Sequence, residues 1–372
     1  MDIPLTDLKA QLDSIRPEIN KAMSRVLASG RYILGSEVES FEHEMASYLG
    51  TKCAIGVASG TDALRLALLA CGIGVEDEVI TTPFTFAATA EAISQCGAKP
   101  VFVDINKDTL NIDVDKIEDK ITPKTKAMLP VHLYGLPADM ARINGIANKH
   151  GLKVIEDCAQ SLGSNTNGMK TGATGDAGCL SFFPAKNLGA FGDGGMVVTS
   201  NEEIARIVKT LRQHGSSSTY QYDLIGFNSR LDSIQAAILN VKLKHLDNWI
   251  TKRRKNALFY NECLTGIGCF ELPDNLSLDN HAMNYYTIRL IDHAMRNPLR
   301  KHLMDHEIAT NVYYPLCLHL QKAYRYLGYK KGDFPISEQA QDNVLSLPMY
   351  PELHRVQIEE IVKQIKNYLN RP

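Results

Sequence analysis

A single lysine, Lys186, lies in the stretch SFFPAKNLGAFGDGG (181–195), between a hydrophobic run and a glycine cluster. Taken alone it reads as one of 40 basic residues, most of them surface charges. Held on a turn after a strand, its amine becomes a nucleophile able to form a Schiff base with a carbonyl. Two other stretches carry matching chemistry. VIEDCAQ (154–160) reads as a buried strand ending in two acids and a glutamine. A carboxylate there is costly unless paired, and a cationic ligand nitrogen would pair it. If side chains alternate, Asp157 rather than Glu156 faces the site. ASGTDAL (58–64) follows a strand and opens a helix. Small residues there let the backbone approach an anion, and the first N–H groups of the helix point at it. Gly60, Thr61 and Asp62 are therefore candidates for a phosphate seat, although Ser59, Thr61 and Asp62 would serve equally well as ordinary helix caps.

An amine, an acid and a phosphate seat are together what pyridoxal 5'-phosphate (PLP) requires. The lysine holds the aldehyde, and the acid keeps the pyridine nitrogen protonated so that the ring acts as an electron sink. Phe86, just past DEVITT (77–82), could supply a flat apolar face for the ring, and as plain core it would look the same. Other nucleotide chemistries find no support. GIGVED (72–77) lacks the third glycine of GxGxxG and follows a helix, and no GxxxxGK[ST] occurs. The eight cysteines form no CxxC pair and no Cys/His spacing fits zinc, so no metal is expected.

These residues need a frame. From about residue 50 short apolar runs alternate with helical patterns. CAIGVA (53–58), DEVITT (77–82), KPVFVDI (99–105), KAMLPVHLYG (126–135), KVIEDCA (153–159), GCLSFFP (178–184) and GGMVVTS (194–200) read as strands. TDALRLALLACG (61–72), FAATAEAISQCG (86–97), PADMARINGIANKHG (137–151) and NEEIARIVKTLRQHG (201–215) read as helices between or after them. This alternation predicts an α/β fold with a mainly parallel sheet covered on both faces. In such sheets ligands sit beyond the carboxyl ends of the strands, where all three candidate stretches fall. Residues 230–264 read as one long helix, 285–290 and 309–316 as strands, and 355–370 as a closing helix. The length of 372 residues suits a large domain plus a smaller one, with a boundary near 250.

Composition narrows the function classes. With 40 basic and 42 acidic residues the net charge is −2, without the basic excess of a nucleic-acid binder. The short basic runs ITKRRKN and YLGYKKG read as solvated helix faces. The N-terminus is polar, with no signal region, and no apolar run is long enough to span a membrane. Cysteines in apolar surroundings suggest a reducing compartment, and the chain reads as cytoplasmic.

In order and spacing these stretches resemble the DegT-type sugar-nucleotide aminotransferases, PLP enzymes of fold type I, aspartate aminotransferase-like. GRYILGSEVESFE (30–42), SGTDAL, DEVITTPFTFAATA, PVHLYG, VIEDCAQ, SFFPAKNLGAFGDGG, LRQHG, NSRLDSIQAAIL and SLPMYP carry the resemblance across nearly the whole chain. It implies a large domain (1–249) with a mostly parallel seven-stranded sheet and a small C-terminal α+β domain (250–372). Lys186 is similar to the catalytic Schiff-base lysine, Asp157 to the acid on the pyridinium nitrogen, and Gln160 to the residue at the ring hydroxyl. Phe86 matches the stacking aromatic, and Gly60, Thr61 and Ser181 match the phosphate seat. Asn228 matches a residue that reaches the phosphate from a second subunit, which implies a homodimer with shared sites. Tyr32, Tyr313, Tyr314 and His319 fall at substrate positions. Tyr313 stands where the family often has histidine, so the substrate identity is open at that point.

The resemblance also implies the reaction: an amino donor, by default glutamate, passes its nitrogen through the pyridoxamine form to a keto sugar nucleotide. PLP-dependent sugar dehydratases of the superfamily carry histidine in place of the lysine, which Lys186 argues against. A non-catalytic PLP-binding regulator is disfavoured by the full catalytic set, and the first family motif already begins at Gly30. C4-aminating members tend to read SFHP before the lysine, and dTDP-3-keto-6-deoxy members SFYPGKNLG. SFFPAKNLG followed by GDGGM resembles members acting at C3 of UDP-linked 2-acetamido-3-keto sugars or their uronic acids.

Overall fold

The computed structural model describes residues 2–274 and 280–370; residues 1, 275–279, 371 and 372 of the two expected domains lie outside them. Seven strands form the central sheet: β1 (Cys53–Val57), β2 (Glu78–Thr81), β3 (Lys99–Phe102), β4 (Thr125–Met128), β5 (Lys153–Asp157), β6 (Ala177–Ser181) and β7 (Gly195–Thr199). Their spatial order is β1-β7-β6-β5-β4-β2-β3. Only β7 runs antiparallel to its neighbours. The carboxyl ends of β1, β2, β5 and β6 therefore share one edge.

The two-residue period of the strands builds two cores. Ile55, Val57, Val79, Ala127, Ile155, Ala177, Cys179 and Val197 face one way, against α3 (Gly60–Ala70), α4 (Ala87–Gln95) and α6 (Glu202–Leu211). Ala54, Leu180, Met196 and Val198 face the other way, with α2 (Ser36–Leu49) and α7 (Ser233–Leu243). At the far edge Ile80, Val101, Met128 and Val154 pack with α5 (Met140–His150). Alternation is what sends residues i and i+1 of β5 into different surroundings.

Two long N-terminal helices, α1 (Leu8–Ser29) and α2, precede the sheet, and the sequence pattern did not reveal them. Pro17 inside α1 masks its signal. The expected helix over 230–264 is instead α7 and α8 (Leu246–Leu264), separated at Lys244 and His245. The run 309–316 is not a strand: only Asn311 makes a bridge, to Ser346. The small three-stranded antiparallel sheet pairs β8 (Phe270–Glu271), β9 (Tyr286–Leu290) and β10 (Val344–Leu347). The helices α9 (Arg296–Asp305), α10 (Pro335–Asn343) and α11 (Arg355–Leu369) lie in the same C-terminal part of the chain.

The boundary expected at 249/250 falls inside α8. Leu246 and Ile250 pack into the large-domain core, whereas Ala257, Tyr260 and Leu264 belong to the C-terminal core. Ile3 also packs in that second core and bridges Ile308, so the first residues of the chain join the last third. One continuous helix thus ties the two parts without a linker. Ile250 is fully enclosed, and its side chain fills the space above Gly163. Ile250→Ala should cost about 2–5 kcal/mol in urea unfolding, by lost burial plus cavity. A loss under about 0.5 kcal/mol, the level of a surface change, would show that α8 is not anchored there.

Candidate active site

β5 ends in two acids that receive opposite treatment. Glu156 continues the Val154 row and is fully buried. Its carboxylate accepts from Gly172 N at 2.9 Å, Thr174 N at 2.9 Å, Gly175 N at 2.7 Å and His132 Nε2 at 3.0 Å. His132 Nδ1 in turn accepts from Ala138 N at 2.9 Å, which leaves Nε2 as the protonated nitrogen that donates to Glu156. These bonds hold the Glu156 carboxyl below the usual carboxylate range against the cost of burial. Cys158 lies near this pair. With both imidazole nitrogens and the carboxylate already engaged, the three residues form a structural knot rather than a metal centre.

Asp157 continues the Ile155 row toward α4. It is only 5% exposed and accepts just two hydrogen bonds, from Thr89 Oγ1 at 2.8 Å and Ala159 N at 3.1 Å. Burial raises its pKa despite those bonds and the nearby Lys186 charge. Alternation thus separates the two acids: Glu156 is engaged by four donors, whereas Asp157 accepts two hydrogen bonds and has the Lys186 charge nearby.

Lys186 sits on the turn after β6. Its N–H donates to Phe183 O at 2.9 Å, and Ala190 N returns to Phe182 O at 2.8 Å. Its side chain keeps some exposed surface, yet desolvation of the amine lowers its pKa from 10.5 to about 8, against the opposing pull of Asp157. Nζ lies 5.8 Å from the ring centre of Tyr285. Tyr285 stacks on Tyr313 at 4.1 Å, and Tyr134 OH donates to the carbonyl of Tyr313. Gln160 is held from both sides, accepting from Tyr134 N at 2.7 Å and donating to Tyr314 OH at 2.9 Å. Tyr314 lies 6.1 Å from Phe86, which caps α4 and is 58% exposed, an unusual exposure for a phenyl ring at a helix start beside a buried acid.

The start of α3 meets Ser181. A Cβ on Gly60 would lie 2.7 Å from Ser181 Cβ, so only glycine permits this approach. Ser59 caps the helix by accepting from Asp62 N at 3.1 Å, which leaves the N–H groups of Gly60 and Thr61 at the helix start without intrahelical partners. The N-capped helix of the sequence reading is observed, and the helix start keeps two N–H groups free of intrahelical partners. The Asp62 carboxylate is taken by Ser229 Oγ at 2.7 Å and by Arg65, and its N–H by Ser59. Asp62 therefore braces the cradle rather than offering it a donor.

Three further expectations meet the structure differently. His319 is 1% exposed and pairs with Glu338 at 3.0 Å, under Phe334, so it does not open onto the site. Burial lowers its pKa. Its place in the sequence pattern gave no hint of this enclosure. Tyr32 and Asn228 are exposed, and among the described residues no hydrogen bond or ring contact links either to Lys186, Asp157 or Gln160. Tyr32 O instead accepts from Ser233 N at the start of α7, and Asn228 Oδ1 from Arg230. Conversely, Thr89, Tyr134 and Tyr285 enter the site without having been singled out. Thr89 had a signal, since it lies one helical turn after Phe86 on the same face.

The DegT/DnrJ/EryC1/StrS aminotransferase family matches residues 13–366. The chain is 47% identical over 370 residues to a protein of Geobacillus stearothermophilus named as a pleiotropic regulatory protein, covering 99% of each. It is 45% identical over 368 residues to the UDP-N-acetyl-3-dehydro-alpha-D-glucosamine 3-aminotransferase of Acidithiobacillus ferrooxidans, covering 99% of this chain and 98% of that one. The crystal structure of DesV from S. venezuelae, in complex with a ketimine intermediate, superposes with a TM-score of 0.95 at 41% identity, over 100% of this chain and 99% of that chain.

The electrostatics of the site can be read without any ligand. In the apoprotein, trace acetylation of Lys186 followed against pH should show a midpoint of about 8. Asp157→Asn should move that midpoint lower, because the carboxylate is what holds the amine's proton on. A wild-type midpoint at the ordinary 10.5 would contradict the desolvated amine.

Proposed function

This chain belongs to the DegT/DnrJ/EryC1/StrS aminotransferase family, and on that premise we propose that it aminates C3 of a UDP-2-acetamido-2-deoxy-3-keto hexose or its uronic acid, with Lys186 as catalytic lysine and glutamate as donor. It is a PLP-dependent sugar-nucleotide aminotransferase. The observation that carries the residue assignment is the pairing of a desolvated amine, Lys186, with a buried carboxylate on only two hydrogen bonds, Asp157, at the ends of the adjacent strands β6 and β5.

The site fits the cofactor. Asp157 would hold the proton of the ring nitrogen. The Gly60 and Thr61 N–H groups and the Ser181 hydroxyl would hold the phosphate. Phe86 would cover one ring face, and the Gln160 amide, fixed by Tyr134 and Tyr314, would meet the ring hydroxyl. When bound, PLP supplies the carbonyl carbon that captures the donor's nitrogen and an electron sink for charge developing beside it. Lys186, with a pKa near neutrality, can take and return a proton at Nζ without a large penalty in either direction. The nitrogen leaves glutamate as 2-oxoglutarate forms and ends on the sugar, whose ketone oxygen departs as water.

The turn SFFPAKNLG and the name of the A. ferrooxidans relative support C3 and UDP. The turn sets how a sugar ring is presented to the reacting carbon. A second copy of the chain completing the site is supported by the exposed apolar side chains next to Asn228: Tyr220 is 86% exposed and Ile225 95%. Side chains of that size left in water suit an interface.

Lys186→Ala should fold normally, lose covalent cofactor capture and lose turnover. Near-normal turnover would overturn the assignment. Matched 3-keto and 4-keto UDP sugars offered to the pyridoxamine form, with the amine located by NMR, test the carbon; an amine only at C4 refutes it, and exclusive use of dTDP sugars refutes the nucleotide alone.

The shared site has its own test. Inactive Lys186→Ala mixed with an inactive Asn228→Ala variant should regain activity, since one hybrid site carries neither lesion. Absence of rescue despite demonstrated subunit exchange would count against it.

A further inference from the structure

Lys242 is a lysine with almost no surface: it is 1% exposed, on the inner face of α7. Its Nζ donates to Gly189 O at 2.6 Å and lies 4.9 Å from the ring centre of Phe191. Gly189 and Phe191 belong to the turn that carries Lys186. That turn folds tightly on itself: a Cβ on Gly189 would lie 2.1 Å from Pro184 O. So sharp a reversal leaves the Gly189 carbonyl pointing at α7, where it needs a donor.

Two side chains of α7 hold the turn. Gln235 Oε1 accepts from Phe191 N at 2.8 Å, and Lys242, two helical turns further on the same face, donates to Gly189. On the other side Asn187 Nδ2 donates to Ala282 O at 2.9 Å. Burying a lysine is costly, and desolvation lowers the Lys242 pKa to about 8, with the Glu352 charge opposing. A core that needed only volume at this position would be served at less cost by methionine or leucine. The charge has a use if the turn must be held in one conformation.

We propose that Lys242 is a positioning residue for the catalytic turn, locking the Gly189 carbonyl so that Lys186 stays desolvated and directed at Asp157. This rests on the reading of Lys186 as the cofactor lysine for its consequence, but not for its geometry. The rigid turn keeps water from the Lys186 amine, which favours the neutral nucleophile at working pH. It also fixes the position from which the amine meets a carbonyl bound over the α3 cradle.

The test replaces Lys242 with methionine, which keeps the length and removes the donor, and with glutamine, which keeps a shorter donor. In the apoprotein, K242M should melt within a few degrees of wild type, because relief of a buried charge offsets the lost bond. Its Lys186 acetylation midpoint should rise by about one pH unit, equivalent to about 1.4 kcal/mol, as water reaches the loosened turn. The dissociation constant for PLP, followed by absorbance, should rise about tenfold, and K242Q should fall between K242M and wild type. An unchanged Lys186 profile with unchanged PLP affinity overturns the proposal, and so does failure of both variants to fold, which would make Lys242 a plain core residue. Failure of the cofactor-lysine reading would look different: Lys186→Ala would bind PLP as wild type does, while the K242M shift in the Lys186 profile would persist.

Discussion

A carboxylate held out of water on two hydrogen bonds, with a desolvated lysine as its nearby charge, is the constraint around which this site is arranged. Asp157 has two hydrogen bonds where its neighbour Glu156 has four, and the two pKa values move in opposite directions. Both acids are buried on one strand, so burial alone does not separate them. The difference is the supply of donors: a glycine-rich loop and a histidine for Glu156, a single threonine and one main-chain N–H for Asp157. The Lys186 charge offsets part of the deficit at Asp157. α4 brings Thr89 against it and starts at Phe86, β6 leads into the turn of Lys186, and α3 leaves its first N–H groups open.

Residues from the C-terminal part of the chain close around those elements. The turn bearing Lys186 is held by α7 on one side and by the Ala282 carbonyl on the other. The wall opposite the sheet edge is built of Tyr285, Tyr313 and Tyr314 from the C-terminal part, locked to Tyr134 and Gln160 from the large sheet. α8 enters one core at Ile250 and the other at Ala257 with no break between, and buried Arg253 on the same helix donates to Met283 O and Met349 O. The two hydrophobic cores are thus joined through one helix, and Lys186 and Gln160 lie where side chains of the C-terminal part meet the ends of the sheet strands.

How much of this was legible follows from what kind of signal each feature leaves. The seven strands were visible because apolar runs between helical patterns have few other readings, and the observed strands lie within those runs to a residue or so; the alternation expected along β5 is observed, with Glu156 and Asp157 in different surroundings. Helix α1 was not read, its proline and polar residues hiding a stripe of Ile15, Ile19, Ala22 and Val26. The break between α7 and α8 has no glycine or proline to announce it. The run at 309–316 has strand composition but lacks neighbours; the third strand of the small sheet comes instead from 344–347. His319 was placed among ligand residues by position in a motif, and only the fold reveals that Glu338 and Phe334 enclose it.

The cofactor half and the substrate half of the site are specified by different means, and this explains why one is readable and the other is not. The cofactor half is made of strand ends, a helix start and a turn. Its requirements are backbone geometry plus a few residue types, so Gly60, Asp157 and Lys186, the residues proposed for it, stand out in the sequence. The substrate half is made of rings that touch other rings. Tyr313, where histidine is common in the family, is set by stacking on Tyr285 rather than by a hydrogen-bonded strand. Where that stack leaves its hydroxyl is encoded by no local pattern. Chemistry class is thus a property of the secondary structure, and choice of sugar a property of side-chain packing between segments far apart in the chain.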